Sequence, residues 1–213
     1  MISIIDPGTI RDISNDLLMP NGKLKLLSSL DYAKYTTQEL QLFGYKHARY
    51  GIPTIELVEY IKTIIGDRSA IEIGSGHGDL GYHLGIPMTD SKIQTTLEIK
   101  AYYEALRQPL IDYPEDVEKI EALDAVKKYK PQVVVGSWLT TYSAGPAEYG
   151  SSPAGIKEDE ILNLVETYIL VGNLDSHADK PILKTHGGYE KKGSFIISRA
   201  KNPQNNRIFI IKG

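Results

Sequence analysis

Residues 69–80 constrain the fold of this chain most strongly, because a short apolar run changes there into a glycine-rich turn. The run 70–73 is apolar except for Glu72, which predicts a buried parallel strand. Three glycines follow at every second position: Gly74, Gly76 and Gly78. Because glycine lacks a Cβ atom, such a turn is tight and brings its backbone close to a ligand. A helix that begins near Asp79 adds unpaired N–H groups that face this ligand.

The spacing of these glycines argues against two common nucleotide-binding loops. A dinucleotide fingerprint is G-x-G-x-x-G, whereas here the third glycine comes one residue early and Asp79 occupies its position. No G-K-[ST] sequence follows the turn, which excludes a Walker-type phosphate loop. A module that binds NAD or a nucleotide sugar is therefore disfavoured.

The same stretch, from Glu72 to Gly78, resembles the E/D-x-G-x-G-x-G first motif of the class I S-adenosylmethionine-dependent methyltransferase superfamily. The acid two residues before the first glycine is typical of that family and not of dehydrogenases. Residues 89–92, Thr-Asp-Ser-Lys, are similar to a bacterial and phage branch with no established substrate. The resemblance implies S-adenosyl-L-methionine as cofactor, with the glycine turn facing its methionine half. The contacts implied in this turn are Glu72, Gly74, Ser75, Gly76 and Gly78.

The apolar runs and the resemblance together predict an α/β fold, a Rossmann-like doubly wound sheet. We expect seven mostly parallel strands and a C-terminal antiparallel hairpin between the apolar runs 194–199 and 207–211. Residues 1–52 are expected to form a helical lead-in packed on the core. Residues 53–213 are expected to form the methyltransferase-like domain, as a single globular unit.

Two helices carry clear local signals. Thr36 and Glu39 have the spacing of a capping box, which predicts a helix from there to about Arg49. A short helix from Asp79 to Leu84 is expected to end at Gly85.

Two acids are candidates for binding the ribose of the cofactor, a role that requires a carboxylate at the carboxyl end of the second strand. Asp90 ends the predicted strand 86–90, and we favour it. Glu98 takes this role if the strand begins later in the chain.

The third and fourth predicted strands supply further candidates for cofactor contacts. The strand 117–125 carries Leu123 and Asp124, and the resemblance implies that this acid receives the adenine amino group. Asp124 is equally well placed to cap the following helix. Ser137 lies near the end of the predicted fourth strand, 132–138, and is also expected to contact the cofactor.

Residues after the fourth strand are the candidates for the transfer chemistry. Methyltransferases that act on exocyclic amines of bases commonly have an Asn/Asp-Pro-Pro-aromatic motif here, whereas this chain has Gly-Ser-Trp-Leu-Thr at 136–140. Trp138 and Tyr142 are expected to wall the transfer site, although Trp138 is equally consistent with simple packing. His177 follows the fifth strand, either as a general base or as a solvated loop histidine.

Composition removes several classes of function. A net charge of −3 gives no basic field, so nucleic acid is unsupported as a partner. The chain has no cysteine, which excludes disulfides, thiolate metal sites and cysteine-dependent methylation of cytosine carbon 5. The five histidines show no metal-binding spacing, so we expect no metal site. Without a signal peptide or a membrane span, a cytoplasmic protein is expected.

These observations predict S-adenosylmethionine-dependent methyl transfer to an unidentified acceptor, either a small molecule or an exposed polar group. The alternative is a catalytically inactive protein of the same fold that binds S-adenosylmethionine or a nucleotide. The missing amine-accepting motif and the absence of a clear base favour this alternative.

Overall fold

The computed structural model describes residues 7–143, 151–152 and 155–213. The helices are α1 Ser14–Leu17, α2 Ser29–Tyr32, α3 Thr37–Lys46, α4 Ile55–Ile65, α5 Asp79–Leu84, α6 Leu97–Ala105, α7 Ala122–Tyr129, α8 Glu158–Leu162, α9 Leu174–His177 and α10 Pro181–His186. The strands are β1 Gly51–Ile52, β2 Ala70–Ile73, β3 Thr89–Asp90, β4 Glu118–Lys119, β5 Val133–Ser137, β6 Thr141–Tyr142, β7 Ser151–Ser152, β8 Thr167–Asn173, β9 Tyr189–Lys191, β10 Ile197–Ser198 and β11 Asn206–Lys212. Within these ranges, no helix has the length and apolar composition needed to cross a bilayer.

The core is a mixed five-stranded sheet in the spatial order β2-β5-β8-β11-β9. Strands β2, β5 and β8 are parallel, whereas β11 runs antiparallel to both of its neighbours. In β5, Val133 and Val135 pack in one apolar cluster with α4, and Val134 packs in a second cluster with α7. Because alternate side chains of a strand point to opposite faces, helices cover both sides of the sheet. The predicted α/β class is therefore confirmed.

Strands β3 and β4 form a separate parallel pair beside β2. One parallel bridge joins Glu72 to Met88, and the Glu72 N–H donates to the Pro87 carbonyl at 2.9 Å. The pair therefore extends the arrangement on the side of β2 that faces away from β5.

The predicted C-terminal hairpin between residues 194–199 and 207–211 is wrong. Strand β10 pairs with β1, with Gly51 opposite Ser198, whereas β11 lies between β8 and β9. The physical reason is that β11 is apolar on both faces and is buried between two neighbours. The link between β10 and β11 is held by side chains instead, since Asn206 Nδ2 donates to the Ile196 carbonyl at 2.7 Å.

The N-terminal segment is fastened to α5 through Asp79, the residue that replaces the third glycine of a dinucleotide loop. Arg49 Nε donates to Asp79 Oδ2 at 2.7 Å, and the Leu24 N–H donates to Asp79 Oδ1 at 2.8 Å. Both side chains of the ion pair are buried, with exposed fractions of 7% and 9%. Arg49 also donates to the Gly22 carbonyl at 2.6 Å. Asp79 thus connects two N-terminal loops to the start of the helix.

We predict that Arg49→Met destabilises the fold by about 3–5 kcal/mol, because it leaves the buried Asp79 carboxylate without its cation. The matched control is Lys46→Met, which removes an exposed ion pair to Asp12 and is expected to cost about 1 kcal/mol or less. Urea unfolding of both variants measures the difference. Equal losses in the two variants would contradict this account of the N-terminal attachment.

Candidate functional site

A cavity of about 770 Å³ lies at the carboxyl ends of β2, β3 and β5. Its volume is within the range of roughly 300–1,000 Å³ that small-molecule sites occupy. The predicted site residues that line it are Glu72, Gly74, Ser75, Gly76, Asp90, Leu123, Ser137, Trp138 and Tyr142. Three others do not line it: Gly78, Asp124 and His177. Among the described residues, no group of three or more His, Asp or Glu side chains is arranged to hold a metal ion.

The glycine turn forms one wall of the cavity and requires glycine for two different reasons. Gly74 and Gly76 have φ of +54° and +55°, and a Cβ atom at Gly74 would collide with Leu139. Gly78 has φ of +69° and packs away from the cavity, since a Cβ atom there would lie 2.6 Å from Met88 Sδ. Two glycines therefore face the cavity, and the third allows the turn to pack on β3.

Asp90 connects the end of β3 to the glycine turn. Its buried carboxylate accepts the Gly76 N–H at 2.9 Å through Oδ2 and the Lys92 N–H at 2.7 Å through Oδ1. Burial raises the pKa of Asp90. Glu98, the competing candidate, is an exposed residue of α6 outside the cavity lining. Of the two ribose-binding candidates, only Asp90 is part of the site.

Glu72 holds the first turn of α5 from inside the sheet. Its side chain is fully buried, and Oε2 accepts the Gly81 N–H at 2.9 Å. Burial is the main reason why the pKa of Glu72 is raised to about 8. The carboxyl group is therefore mostly protonated at neutral pH.

The predicted third strand, 117–125, is wrong in its second half. β4 ends at Lys119, and α7 begins at Ala122 because Ala125 and Val126 form a buried helical face. Asp124 is consequently an exposed helix residue and does not cap α7, whose N-cap position is Glu121. Glu121 is the acid of this segment that lines the cavity, next to Leu123.

Trp138 lies in the cavity wall in an unusual backbone conformation. Its φ is +59°, which is strained for a bulky residue, and its N–H donates to the Val171 carbonyl at 2.8 Å. The Tyr50 ring lies 6.5 Å from the indole, between ring centroids, and is inclined by only 27°. Trp138 Nε1 is buried and has no hydrogen-bond partner within the described ranges.

His177 is buried in α9, so it is not a solvated loop histidine. The Asn173 N–H donates to its Nδ1 at 3.0 Å, and the ring meets the Trp138 indole edge-on at 5.6 Å between centroids. Burial and the nearby Lys180 lower the pKa of His177 to about 4. The imidazole is therefore neutral at physiological pH and supports Trp138 from outside the cavity.

Sequence reasoning missed His77 and Arg199, which line the cavity together with Tyr50. His77 Nε2 lies 3.0 Å from the His47 carbonyl, which only accepts, so this nitrogen carries the proton. Its Nδ1 is then a bare acceptor, buried without a partner in the described part of the chain. The position of His77 between Gly76 and Gly78 is a sequence signal that could have identified it as a site residue. Arg199 carried no such signal, because it comes beside Tyr50 only through the pairing of β1 with β10.

No protein-family model matches the sequence, and no curated protein matches it. Among solved structures, the chain is similar to a precorrin-6y C5,15-methyltransferase from Geobacter metallireducens, with 11% identity over 76% of this chain and 89% of that chain and a TM-score of 0.40. It is similar to a Staphylococcus aureus protein described as a caffeoyl-CoA O-methyltransferase, with 13% identity over 86% of this chain and 96% of that chain and a TM-score of 0.41.

A further similar structure is a protein described as a methyltransferase, complexed with S-adenosylhomocysteine. The identity is 9% over 71% of this chain, the TM-score is 0.37, and this chain spans only 47% of the other. Each of the three proteins is described as a methyltransferase, and each TM-score is below 0.5.

We predict that Glu72→Gln makes stability less dependent on pH. Glu72 has a pKa of about 8 in the folded protein against an ordinary value of 4.5, so the folded state binds the extra proton between these values. Wild-type stability therefore falls as the pH rises through this window. Between about pH 7 and 8 we expect the free energy of unfolding to fall by on the order of 1 kcal/mol per pH unit relative to the variant.

Urea unfolding over this pH range measures the effect. The glutamine keeps an oxygen that accepts the Gly81 N–H, so the variant differs from the wild type mainly in titration. His77 and His177, whose pKa values are lowered to about 4 from 6.5, titrate below this range. Parallel curves for the two proteins would contradict the raised pKa.

Proposed function

We propose that the cavity binds S-adenosyl-L-methionine and that the protein transfers its methyl group to a small or exposed polar acceptor. The observation that carries the proposal is the acid–glycine turn, whose Gly74 and Gly76 face the cavity while the Asp90 carboxylate is bonded to the turn itself. The exposed backbone of the glycine turn and the Asp90 carboxylate lie at the ends of neighbouring strands. Two polar anchoring points of this kind suit a ligand that has polar groups at both of its ends.

The sheet supports this position for a ligand. We propose that β3 and β4 continue the main sheet through the Glu72–Met88 bridge, which gives seven strands in the order β4-β3-β2-β5-β8-β11-β9. In this order, β3 and β4 lie on one side of β2, and β5 and the later strands of the sheet lie on its other side. Doubly wound sheets bind ligands at such a reversal, beyond the carboxyl ends of the strands. The cavity lies at this point.

The same proposal treats residues 1–52 as a lead-in packed on the domain formed by 53–213. The buried ion pair between Arg49 and Asp79 supports it for the described part of the lead-in.

The lining residues fit the proposed cofactor. Gly74, Ser75 and Gly76 would hold its methionine half, and Asp90 would accept hydrogen bonds from the ribose hydroxyls. Leu123 would pack against the adenine, and Glu121 takes over the role expected of Asp124 as acceptor for the adenine amino group. Three further predicted contacts act from nearby: Glu72 and Gly78 shape the turn, and Ser137 borders the transfer site.

When bound, the cofactor would supply a methyl group that is activated by its bond to a positively charged sulfur. The protein must align the acceptor's lone pair opposite that bond and exclude water. Trp138 and Tyr142 wall this space, and His177 holds Trp138 in place. An acceptor proton released in the reaction passes to solvent at the open side of the cavity, where Tyr142 is 43% exposed.

The second candidate function is a binding protein that has lost transfer chemistry. His177 favours it, because this histidine is neutral and lies outside the cavity lining. Mass spectrometry of the ligand that copurifies with the protein, before and after incubation with methyl-labelled S-adenosylmethionine and a panel of acceptors, separates the two functions. Labelled product identifies an enzyme, whereas retained and unreacted cofactor identifies a binding protein.

We predict that Asp90→Asn weakens binding of S-adenosylhomocysteine about tenfold to a hundredfold, because charge-assisted hydrogen bonds to the ribose are lost. The asparagine keeps one oxygen for the Gly76 N–H of the turn and gives up the bond from the Lys92 N–H. Glu98→Gln serves as the matched control and is expected to bind as the wild type does. Isothermal titration calorimetry measures both; unchanged affinity in Asp90→Asn would remove this residue from the site.

We predict that Glu121 determines the preference for adenine. The wild type should bind S-adenosylhomocysteine more tightly than S-inosylhomocysteine, which lacks the amino group that a carboxylate accepts. Glu121→Ala should lose most of this preference, and the exposed Asp124→Ala should retain it. Calorimetry with both ligands checks the expectation, and a loss of preference in Asp124→Ala instead would restore the original assignment.

A further inference from the structure

Of the three Lys and Arg side chains among the described lining residues, two are paired with carboxylates and one is not. Arg49 is paired with Asp79 at 2.7 Å, and Lys157 is paired with Glu160 at 3.0 Å. Arg199 has no carboxylate partner within the described ranges, although it lines the same cavity. A cation kept without an anion beside a cavity is available to a ligand that carries negative charge.

Arg199 is held rigidly. Because β10 runs beside β1, its N–H donates to the Tyr50 carbonyl at 3.0 Å, and its guanidinium lies 3.8 Å above the Tyr50 ring. Nη1 donates to the Gly44 carbonyl at 3.2 Å, and glycine at position 44 leaves room for the Arg199 stem, since a Cβ there would lie 2.8 Å from Arg199 Cβ. Only one of five N–H donors is used in the described part of the chain.

Trp138 adds a second aromatic side chain beside Tyr50 in the cavity lining. The Trp138 indole is nearly parallel to the Tyr50 ring, and its Nε1–H is buried without an acceptor among the described residues. Because Nε1 lies against Gly51, where a Cβ atom would come within 2.8 Å of it, the indole offers the cavity its ring surface and not this N–H. This part of the lining therefore combines the Arg199 guanidinium with two aromatic side chains.

We propose that the methyl acceptor is a planar aromatic carboxylate, bound through its carboxylate by Arg199 and through its ring beside Tyr50 and Trp138. A hydroxyl oxygen elsewhere on the ring would form the new bond to the methyl carbon, the carbon–sulfur bond would break with its electron pair left on sulfur, and the hydroxyl proton would pass to solvent. The guanidinium fork matches the two oxygens of a carboxylate, and aromatic side chains favour a flat ligand. This inference rests on the proposed function, because it names the class of acceptor for the same cavity.

The test uses the intrinsic fluorescence of Trp138, the only tryptophan of the chain. The protein, saturated with S-adenosylhomocysteine, is titrated with benzoate and separately with benzamide, its neutral counterpart of the same shape. We expect benzoate to bind at least tenfold more tightly. Arg199→Gln should weaken benzoate about tenfold to a hundredfold and abolish the preference over benzamide, because a charge-assisted fork is removed. Arg199→Lys keeps the charge without the planar pair of N–H donors, so its affinity for benzoate should lie between those of the wild type and Arg199→Gln.

The controls separate this inference from the proposed function. Lys157→Gln removes a paired cation of the same lining and should leave the benzoate affinity unchanged. Calorimetry of Arg199→Gln with S-adenosylhomocysteine should give the wild-type affinity, which also shows that the variant folds. The titrations are repeated without S-adenosylhomocysteine, so that loss of cofactor binding does not prevent the test. Absence of benzoate binding, equal binding of benzamide, or full affinity in Arg199→Gln overturns the proposal.

Discussion

The structure depends on a turn that must leave a buried strand, face a cavity and enter a helix within a few residues. Three carboxyl groups hold it from three directions. Glu72 accepts the Gly81 N–H from inside the sheet, Asp90 accepts the Gly76 N–H from the neighbouring strand, and Asp79 binds Arg49 from the N-terminal segment. Each is buried, so each must be paired or neutral to be tolerated. The turn is therefore rigid before any ligand binds, which lowers the entropic cost of binding.

The second organising feature is the meeting of distant segments above the cavity. Strand β1 follows the N-terminal segment, and β10 comes from the C-terminal part of the chain. Their pairing brings Tyr50 beside Arg199, and glycine at position 51 makes room for the indole of Trp138, because a Cβ atom there would lie 2.8 Å from Nε1. The glycine turn supplies a polar part of the cavity lining that is rich in backbone groups. Another part is aromatic and cationic, and is formed by residues far apart in the sequence.

Local signals explain which parts of the fold were predictable. The helix from Asp79 to Leu84 has the predicted bounds because glycines with positive φ flank it on both sides. The capping box of Thr36 and Glu39 was also found, since both of its hydrogen bonds form between residues three apart. The helix that it starts ends at Lys46, three residues earlier than expected.

Features that depend on distant partners were not predictable from the same sequence. An apolar run such as 194–199 identifies a strand but does not identify the strand with which it pairs. The predicted hairpin therefore paired this run with the next apolar run in the chain, 207–211. Asp124 was misplaced because its apolar neighbours suit a strand as well as a helix. The sequence around Arg199 contains no recognisable binding motif, and only the β1–β10 pairing brings this residue to the site.

The most direct test of the central claim is a crystal structure of the protein grown with S-adenosylhomocysteine. The account predicts the ligand in the cavity beside Gly74 and Gly76, with both ribose hydroxyls within hydrogen-bond distance of the Asp90 carboxylate and the adenine next to Leu123. A ligand bound elsewhere on the protein, or a ribose that Asp90 does not contact, would contradict it.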